Sequence, residues 1–181
     1  KSAMAWFDLF EETGDEEFLQ SYETALAYSL RTHHLFLDSE PEQERVMDRL
    51  HAYAYFLEGL LPVVDRPECM AAMAEGIERM ACYLRGMAPV FERSDVYAQL
   101  LRLRLFSDNP GTAAEEEASR IAGFQLDDND PRIAGGFCFG RKRGALLPFV
   151  NPVSTAFCVQ ALEMWRQHQA GEFLADRLHL I

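Results

Sequence analysis

Apolar side chains recur at the three- and four-residue spacing of helices along most of this chain. The pattern predicts seven helices, near residues 3–12, 15–31, 42–61, 67–87, 94–106, 112–125 and 153–169. Short breaks carrying proline, glycine or aspartate separate them, as at Asp65-Arg66-Pro67. Because the connections are short, we expect consecutive helices to pair as antiparallel hairpins.

The predicted helices are of two kinds. Residues 52–64 and 153–165 carry one charged residue each, Glu58 and Glu163, and residues 3–10 are similarly apolar on all sides. Helices of that kind are buried, whereas the others place charge on one face. We therefore expect two layers, with Leu57 and Phe157 nearly fully buried. The inner layer would hold the helices near 3–12, 42–61, 94–106 and 153–169, and the outer layer those near 15–31, 67–87 and 112–125.

One stretch, residues 135–150, departs from the helical pattern. Residues 137–139 and 146–150 can pair as a short β-hairpin across a loop that carries Arg141, Lys142 and Arg143. Positive charge concentrated in a chain of net charge -12 indicates an anionic ligand or an acidic partner. An exposed hairpin tip kept soluble by its charges would explain the same residues. Arg141 and Arg143 are ligand-binding candidates, since a guanidinium facing a pocket binds carboxylate or phosphate through two hydrogen bonds.

Composition limits the possible classes of protein. A chain of 181 residues that is 49% hydrophobic can form one ordinary domain with a real core. Its net charge argues against nucleic-acid binding, which needs a basic surface. No apolar run reaches the roughly 18 residues of a membrane span. The cysteines are scattered within apolar stretches, which is typical of buried thiols in a reducing compartment, so we expect a cytoplasmic protein.

Several segments of the chain resemble the (α/α) toroid superfamily. They are the aromatic, apolar first helix and residues 13–19, 51–61, 135–137 and 151–157. That superfamily includes terpenoid cyclases, prenyltransferases, sugar 2-epimerases and many glycoside hydrolases and lyases. The resemblance implies an all-α fold, a partial toroid of hairpins with one short β-hairpin near 135–150, in a single domain over residues 1–181. A complete toroid has more helices than the seven predicted here. We therefore expect the chain, which begins at Lys1, to be the C-terminal part of a longer protein.

In the toroids that this chain resembles, the amino-terminal ends of the inner helices line the mouth of the barrel, where sites lie. The resemblance therefore implies a set of ligand-binding candidates near those ends: His51, Tyr53, Tyr97, Gln99, Asn151 and Ser154. Each has a structural alternative. Asn151 can cap a helix that starts at Pro152, and His51 can be a hydrogen-bonded core histidine.

Two carboxylates are catalytic candidates. Glu58 lies in an apolar run, where burial would raise its pKa and suit it to general acid–base catalysis, although an ion pair with Arg102 or Arg104 would also explain it. Asp128 lies in the run 127–130, the one stretch comparable to the aspartate cluster of terpene cyclases. Its order differs and it follows an outer helix, so a solvated turn fits better and cyclase chemistry is disfavoured. The histidines lack metal-ligand spacing, and we predict neither metal nor cofactor.

Two functional classes remain. One is a module of a larger protein that binds a small-molecule or carbohydrate ligand, or a protein partner such as the missing half of the ring. The other is a carbohydrate-active toroid enzyme, a hydrolase, lyase or epimerase, that uses acid–base carboxylates. The enzyme hypothesis predicts a pocket in which at least two carboxylates reach one ligand.

Overall fold

The computed structural model describes residues 2–38, 43–107 and 110–181. Within these ranges it contains seven α-helices and one small antiparallel sheet, so the predicted all-α class with a short β-hairpin is confirmed. The helices are α1 (Ser2–Thr13), α2 (Glu16–Phe36), α3 (Gln43–Glu58), α4 (Pro67–Met87), α5 (Ser94–Leu105), α6 (Gly111–Ala122) and α7 (Pro152–Ala170). The strands are β1 (Phe91–Arg93), β2 (Gly140–Lys142) and β3 (Ala145–Leu146).

Most helix bounds lie close to the predicted ones, and the differences follow local chemistry. Helix α2 runs five residues further than predicted, because its last turns hold no proline or glycine. Helix α3 ends at Glu58, and a 3₁₀ turn containing Pro62 follows over Leu61–Val63. The predicted start of this helix, residue 42, lies outside the described residues. Helix α6 stops at Ala122, where Gly123 serves as its C-cap.

The chain divides into two compact units, Lys1–Glu78 and Arg79–Ile181, which we call unit 1 and unit 2. In unit 1, α1 packs on α2, and α2 adjoins α3. Tyr22 is buried, and its hydroxyl donates to the Gly59 carbonyl at 3.0 Å. Leu57 is buried where α3 approaches α4 at Gly76, a position with no room for a larger side chain. The prediction of a single toroid-like domain stays a prediction.

Unit 2 is built around α5, which packs against α6 and α7. All twelve residues of α5 are buried, as the inner-layer assignment predicts for this helix. The sheet has the order β1-β2-β3, and its β1–β2 register places Arg141 opposite Glu92. Phe157, on α7, is nearly fully buried, as predicted, and so is Leu57 in unit 1.

The inner-layer prediction is wrong for α1 and for much of α7. Only Met4 is buried in α1, and Trp6 and Leu9 are exposed. Helix α7 buries four residues and leaves Val153 and Val159 exposed. An apolar composition on all sides therefore did not decide burial here, whereas α5, with three charged residues, is buried along its whole length.

The predicted hairpin exists in altered form. Its paired strands are β2 and β3, and the turn between them uses Arg143 and Gly144, both with positive φ. An isolated bridge between Cys138 and Val150 retains part of the predicted pairing. Strand β1, which extends the hairpin to three strands, was not predicted, because a three-residue strand between two helices gives no periodic signal.

Candidate functional site

The candidate site in unit 2 is centred on Glu92, the middle residue of β1. Glu92 is only 1% exposed, so its carboxylate lies in the interior of the unit. Burial of a charged group is costly unless other groups pair with it and donate hydrogen bonds to it. The partners of Glu92 come from three separate segments of the chain.

One carboxylate oxygen of Glu92 receives most of these contacts. Tyr97 lies one turn into α5, and its hydroxyl donates to Glu92 Oε1 at 3.0 Å. Arg120, near the end of α6, donates from Nε to the same oxygen at 2.7 Å, and its Nη2 is 2.6 Å from that oxygen. Arg141 Nη1 is 3.8 Å from Glu92 Oε2. The carboxylate thus binds the Arg120 guanidinium through short contacts and forms a longer ion pair, without a hydrogen bond, with Arg141.

Tyr97 contributes as a neutral donor. Burial raises the pKa of its hydroxyl far above the ordinary value, and the adjacent Glu92 carboxylate raises it further. Loss of the proton would place two negative charges side by side in a buried site. The phenol therefore stays protonated at neutral pH and its hydrogen bond to Glu92 persists.

Arg141 is fixed by two further contacts. Its guanidinium carbon lies 5.1 Å from the centre of the Phe124 ring, and its Nη2 donates to the Gly123 carbonyl at 3.0 Å. An arginine stacked on a ring and bound to a carbonyl has lost much of its freedom before any ligand arrives, which lowers the entropic cost of binding.

A cleft of about 540 Å³, which we call the Arg120 cleft, lies on the outer side of these groups. Its lining combines two guanidiniums, two carboxylates and two hydroxyls: Arg120, Arg141, Glu115, Glu116, Thr112 and Ser119. The Arg120 side chain is 41% exposed and that of Arg141 is 22% exposed, so both can meet a ligand. A smaller hollow of about 280 Å³ also borders Arg120 and includes Tyr97 in its wall.

Other buried ion pairs stiffen the surroundings. Arg104 on α5 pairs with Glu117 on α6 at 2.8 Å, and both side chains are buried. Arg93 pairs with Asp95 at 2.7 Å, and its guanidinium lies 4.8 Å from the Phe139 ring. The helix that carries Arg120 and the strand that carries Glu92 are therefore both anchored by charge pairs.

The structure brings together two of the predicted ligand-binding residues, Tyr97 and Arg141. Sequence reasoning missed Glu92 and Arg120, the groups that connect them. The available signal was weak: Glu92 is a lone acid beside Phe91, and Arg120 is one of several charged residues on an amphipathic helix. The β1–β2 register, which pairs residues 49 positions apart, brings Arg141 to Glu92.

The remaining predicted residues of unit 2 lie elsewhere. Asn151 is the N-cap of α7, accepting from the Val153 and Ser154 amides, which confirms its structural alternative. Ser154 and Gln99 are fully buried in helices. Arg143 points out of the turn and is exposed, so it does not line the Arg120 cleft. Asp128 is exposed and accepts from the Asp130 amide at 2.8 Å, as in the solvated turn that the sequence favoured.

The predicted residues of unit 1 do not form one cluster with each other. Tyr53 is buried, and its hydroxyl is 2.9 Å from His33 Nδ1. His51 is half-buried, and its ring packs against the Tyr55 ring in a T-shaped arrangement with ring centres 4.8 Å apart. Glu58 is fully buried at the end of α3. The two catalytic candidates, Glu58 and Asp128, belong to different units, and their catalytic roles stay predictions.

The four cysteines form no disulfide, and Cys82 is exposed, contrary to the prediction that all four are buried. Within the described ranges, no three histidine, cysteine, aspartate or glutamate side chains converge as a metal site. None of the described helices is long and apolar enough to cross a membrane.

Comparison with family models, curated proteins and solved structures finds no match for this chain.

Proposed function

We propose that this protein is a ligand-binding module that holds a small polyhydroxylated molecule with an acidic group, such as a sugar acid, in the Arg120 cleft. The observation that carries the proposal is the pair Arg120 and Arg141, which line one cleft and are both fixed, Arg120 by its ion pair with buried Glu92 and Arg141 by the Gly123 carbonyl and the Phe124 ring. Two oriented guanidiniums favour a carboxylate or phosphate, because each retains N–H donors besides those that bind Glu92 and the Gly123 carbonyl.

The other polar groups of the cleft favour hydroxyls on the same ligand. Glu115 and Glu116 accept hydrogen bonds, and Thr112 and Ser119 can both donate and accept. A purely anionic ligand such as inorganic phosphate would meet these two carboxylates unfavourably. A sugar acid satisfies both sets, because its hydroxyls donate to carboxylates while its acid group pairs with arginine.

The catalytic alternative, a carbohydrate-active enzyme, has less support. Glu115 and Glu116 do line one cleft, but both are exposed on the surface of α6. A general acid needs an environment that retains its proton, which burial or a neighbouring negative charge usually provides. Binding without chemistry is therefore the function that this geometry supports best.

Glucuronate titration followed by calorimetry tests the proposal, with glucose as the uncharged comparison. Arg141→Gln should weaken glucuronate binding about tenfold or more, since a charge-assisted hydrogen bond contributes roughly 1.5–3 kcal/mol. Arg143→Gln is the matched control, because it removes the same charge from the same hairpin outside the cleft. Equal losses in the two variants, or glucose binding as tightly as glucuronate, would contradict the proposal.

A further inference from the structure

Unit 1 contains a cavity that the proposed function does not use. It has a volume of about 490 Å³ and lies between α2 and α3. We call it the His33 groove, after the histidine in its wall. Its lining is mainly aromatic and includes Tyr28, His33, Phe36, Tyr53 and Phe56. The volume falls within the range of roughly 300–1,000 Å³ that small-molecule sites occupy.

The wall of the groove is ordered by ring contacts. His33 stacks on Phe56 with ring centres 5.0 Å apart and an interplanar angle of 23°. Tyr53 lies beside both rings, tilted against each, with centroid distances of 6.1 Å to His33 and 5.5 Å to Phe56. A flat ring entering the groove would extend this stack in the offset or edge-on arrangements that aromatic pairs prefer.

Polar atoms are few and lie close together. The Tyr53 hydroxyl and His33 Nδ1 are 2.9 Å apart, and Tyr53 is 1% exposed, so this pair forms a polar point in an apolar wall. Ser29 and Thr32 add hydroxyls on the α2 side. A mostly apolar cavity with a few convergent polar groups is the usual form of a site that orients one substituent of its ligand.

Positive charge lies at the rim. The Arg31 guanidinium carbon is 5.9 Å from the centre of the exposed Tyr28 ring, and that of Arg49 is 5.3 Å from the Phe36 ring. These arginines are two of only five basic residues in residues 1–78, which contain seventeen acidic ones. None of the described residues that line the groove is acidic. The local charge therefore complements an anion, although the unit as a whole is strongly negative.

We propose that the His33 groove binds a planar aromatic carboxylate. The ring system lies among Tyr28, Phe36 and Phe56, the His33–Tyr53 pair contacts its polar edge, and the carboxylate points toward Arg31 at the rim. This assignment is independent of the Arg120 cleft, because every lining residue of the groove belongs to unit 1.

The test uses 2-naphthoate as the probe, followed by its fluorescence on titration with the full chain. The uncharged comparison is 2-naphthol, and the cationic one is 2-naphthylmethylamine. We expect binding to weaken in the order naphthoate, naphthol, amine. No binding of naphthoate, or amine binding as tightly as naphthoate, would overturn the proposal.

Two pairs of variants locate the site. Tyr53→Phe should weaken naphthoate binding about fivefold by removing one hydrogen bond, whereas Tyr55→Phe, outside the groove, should not. Arg31→Gln should weaken naphthoate but not naphthol, with Arg45→Gln as the control for charge. If a control variant loses as much affinity as its partner, the site is not the groove.

A third variant covers the case in which Tyr53→Phe fails to fold. Ala52 is exposed and lines the groove, so Ala52→Trp fills the cavity without disturbing buried packing. The folded Ala52→Trp protein, checked by circular dichroism, should no longer bind naphthoate. Undiminished binding by that variant would overturn the proposal.

Discussion

Unit 1 and unit 2 differ sharply in how they hold charge. Residues 1–78 contain five basic and seventeen acidic side chains, whereas residues 79–181 contain twelve of each, so the whole net charge of -12 belongs to unit 1. In unit 2 several charges are interior and paired, as in Glu92 with Arg120 and Arg104 with Glu117. In unit 1 the pair Arg66–Glu23 lies at the surface, with each side chain 39% exposed.

The difference shows that charge has separate roles in the two units. Buried pairs in unit 2 fix helices and a strand around a site, because an unpaired buried charge would be costly. In unit 1 some acids lie where the helix dipole favours negative charge, as Glu16 and Glu17 do in the first turn of α2. Neutralising an acid of a buried pair in unit 2 should therefore have a large effect, and neutralising an acid at the surface of unit 1 a small one.

The largest expected effect comes from breaking a buried pair. Glu117→Gln should lower the free energy of unfolding by about 3–5 kcal/mol, because Arg104 loses the carboxylate that compensates its buried charge. Glu23→Gln should cost at most about 1 kcal/mol, since its pair with Arg66 is partly solvated. Urea denaturation followed by circular dichroism measures both values.

Glu116→Gln is the control for the Glu117 variant. Glu116 neighbours Glu117 on α6 but is exposed, and its substitution should stay within about 0.5 kcal/mol of the wild type. Similar costs for Glu117→Gln and Glu23→Gln would show that the units do not differ in the way that their charge distribution indicates.

Packing should not distinguish the units, which provides a second test. Leu57→Ala in unit 1 and Phe157→Ala in unit 2 should each cost about 2–5 kcal/mol, because both side chains are nearly fully buried. A Cβ added at Gly76 would lie 2.5 Å from Leu57 Cδ2, so Gly76→Ala should destabilise the wild type. In the Leu57→Ala background the same change should cost less.

A double-mutant cycle measures that coupling. It compares the free energies of unfolding, from chemical denaturation, of the wild type, Leu57→Ala, Gly76→Ala and the double variant. Additive costs for Leu57→Ala and Gly76→Ala would contradict the close approach of α3 and α4. A loss below roughly half a kcal/mol for Leu57→Ala or Phe157→Ala would show that the corresponding side chain is not part of a core.

Helix positions could be predicted from the sequence because they depend on local periodicity. Helix α5 illustrates this, since it was predicted near residues 94–106 and runs over Ser94–Leu105. Burial was less predictable: α1 and α7 are apolar on several sides, but contacts distant in sequence decide which sides are covered. The site was least predictable. Tyr97 and Arg141 were candidates, but their connection runs through Glu92 and a three-residue strand, and such pairing leaves no local pattern.

The titration of Cys158 gives a third test, of intermediate size. Burial raises the pKa of this thiol to about 12, from an ordinary value of 9.0. The unfolded thiol therefore ionises at lower pH than the native one. The stability that the native thiol contributes is fully present below pH 9.0 and is lost as pH rises toward about 12.

At about pH 10.5 the expected loss is roughly 2 kcal/mol. Hydrogen exchange of peptides from α5 and α7 should report it, and Cys158→Ala should remove this part of the alkaline loss. Peptides from unit 1 serve as the internal reference for that substitution.

Iodoacetamide should label exposed Cys82 in the native protein and leave Cys158 unmodified. Rapid native labelling of Cys158 would contradict its burial.

The smallest effect concerns salt. The acidic side chains of unit 1 repel one another across its surface, and the Debye length falls from about 10 Å at 0.1 M salt to about 3 Å at 1 M. Raising sodium chloride over that range should therefore stabilise α2 and α3 by a few tenths of a kcal/mol, seen as slower hydrogen exchange. The buried pairs of unit 2 are screened much less, so α5 and α6 should change little.

Glu75→Lys, at an exposed position of unit 1, should reduce the salt response because it makes the net charge of that unit less negative and leaves less repulsion for salt to screen. An equal response in both units would instead indicate a general effect of salt on apolar burial, and the charge asymmetry would then have no measurable consequence for stability.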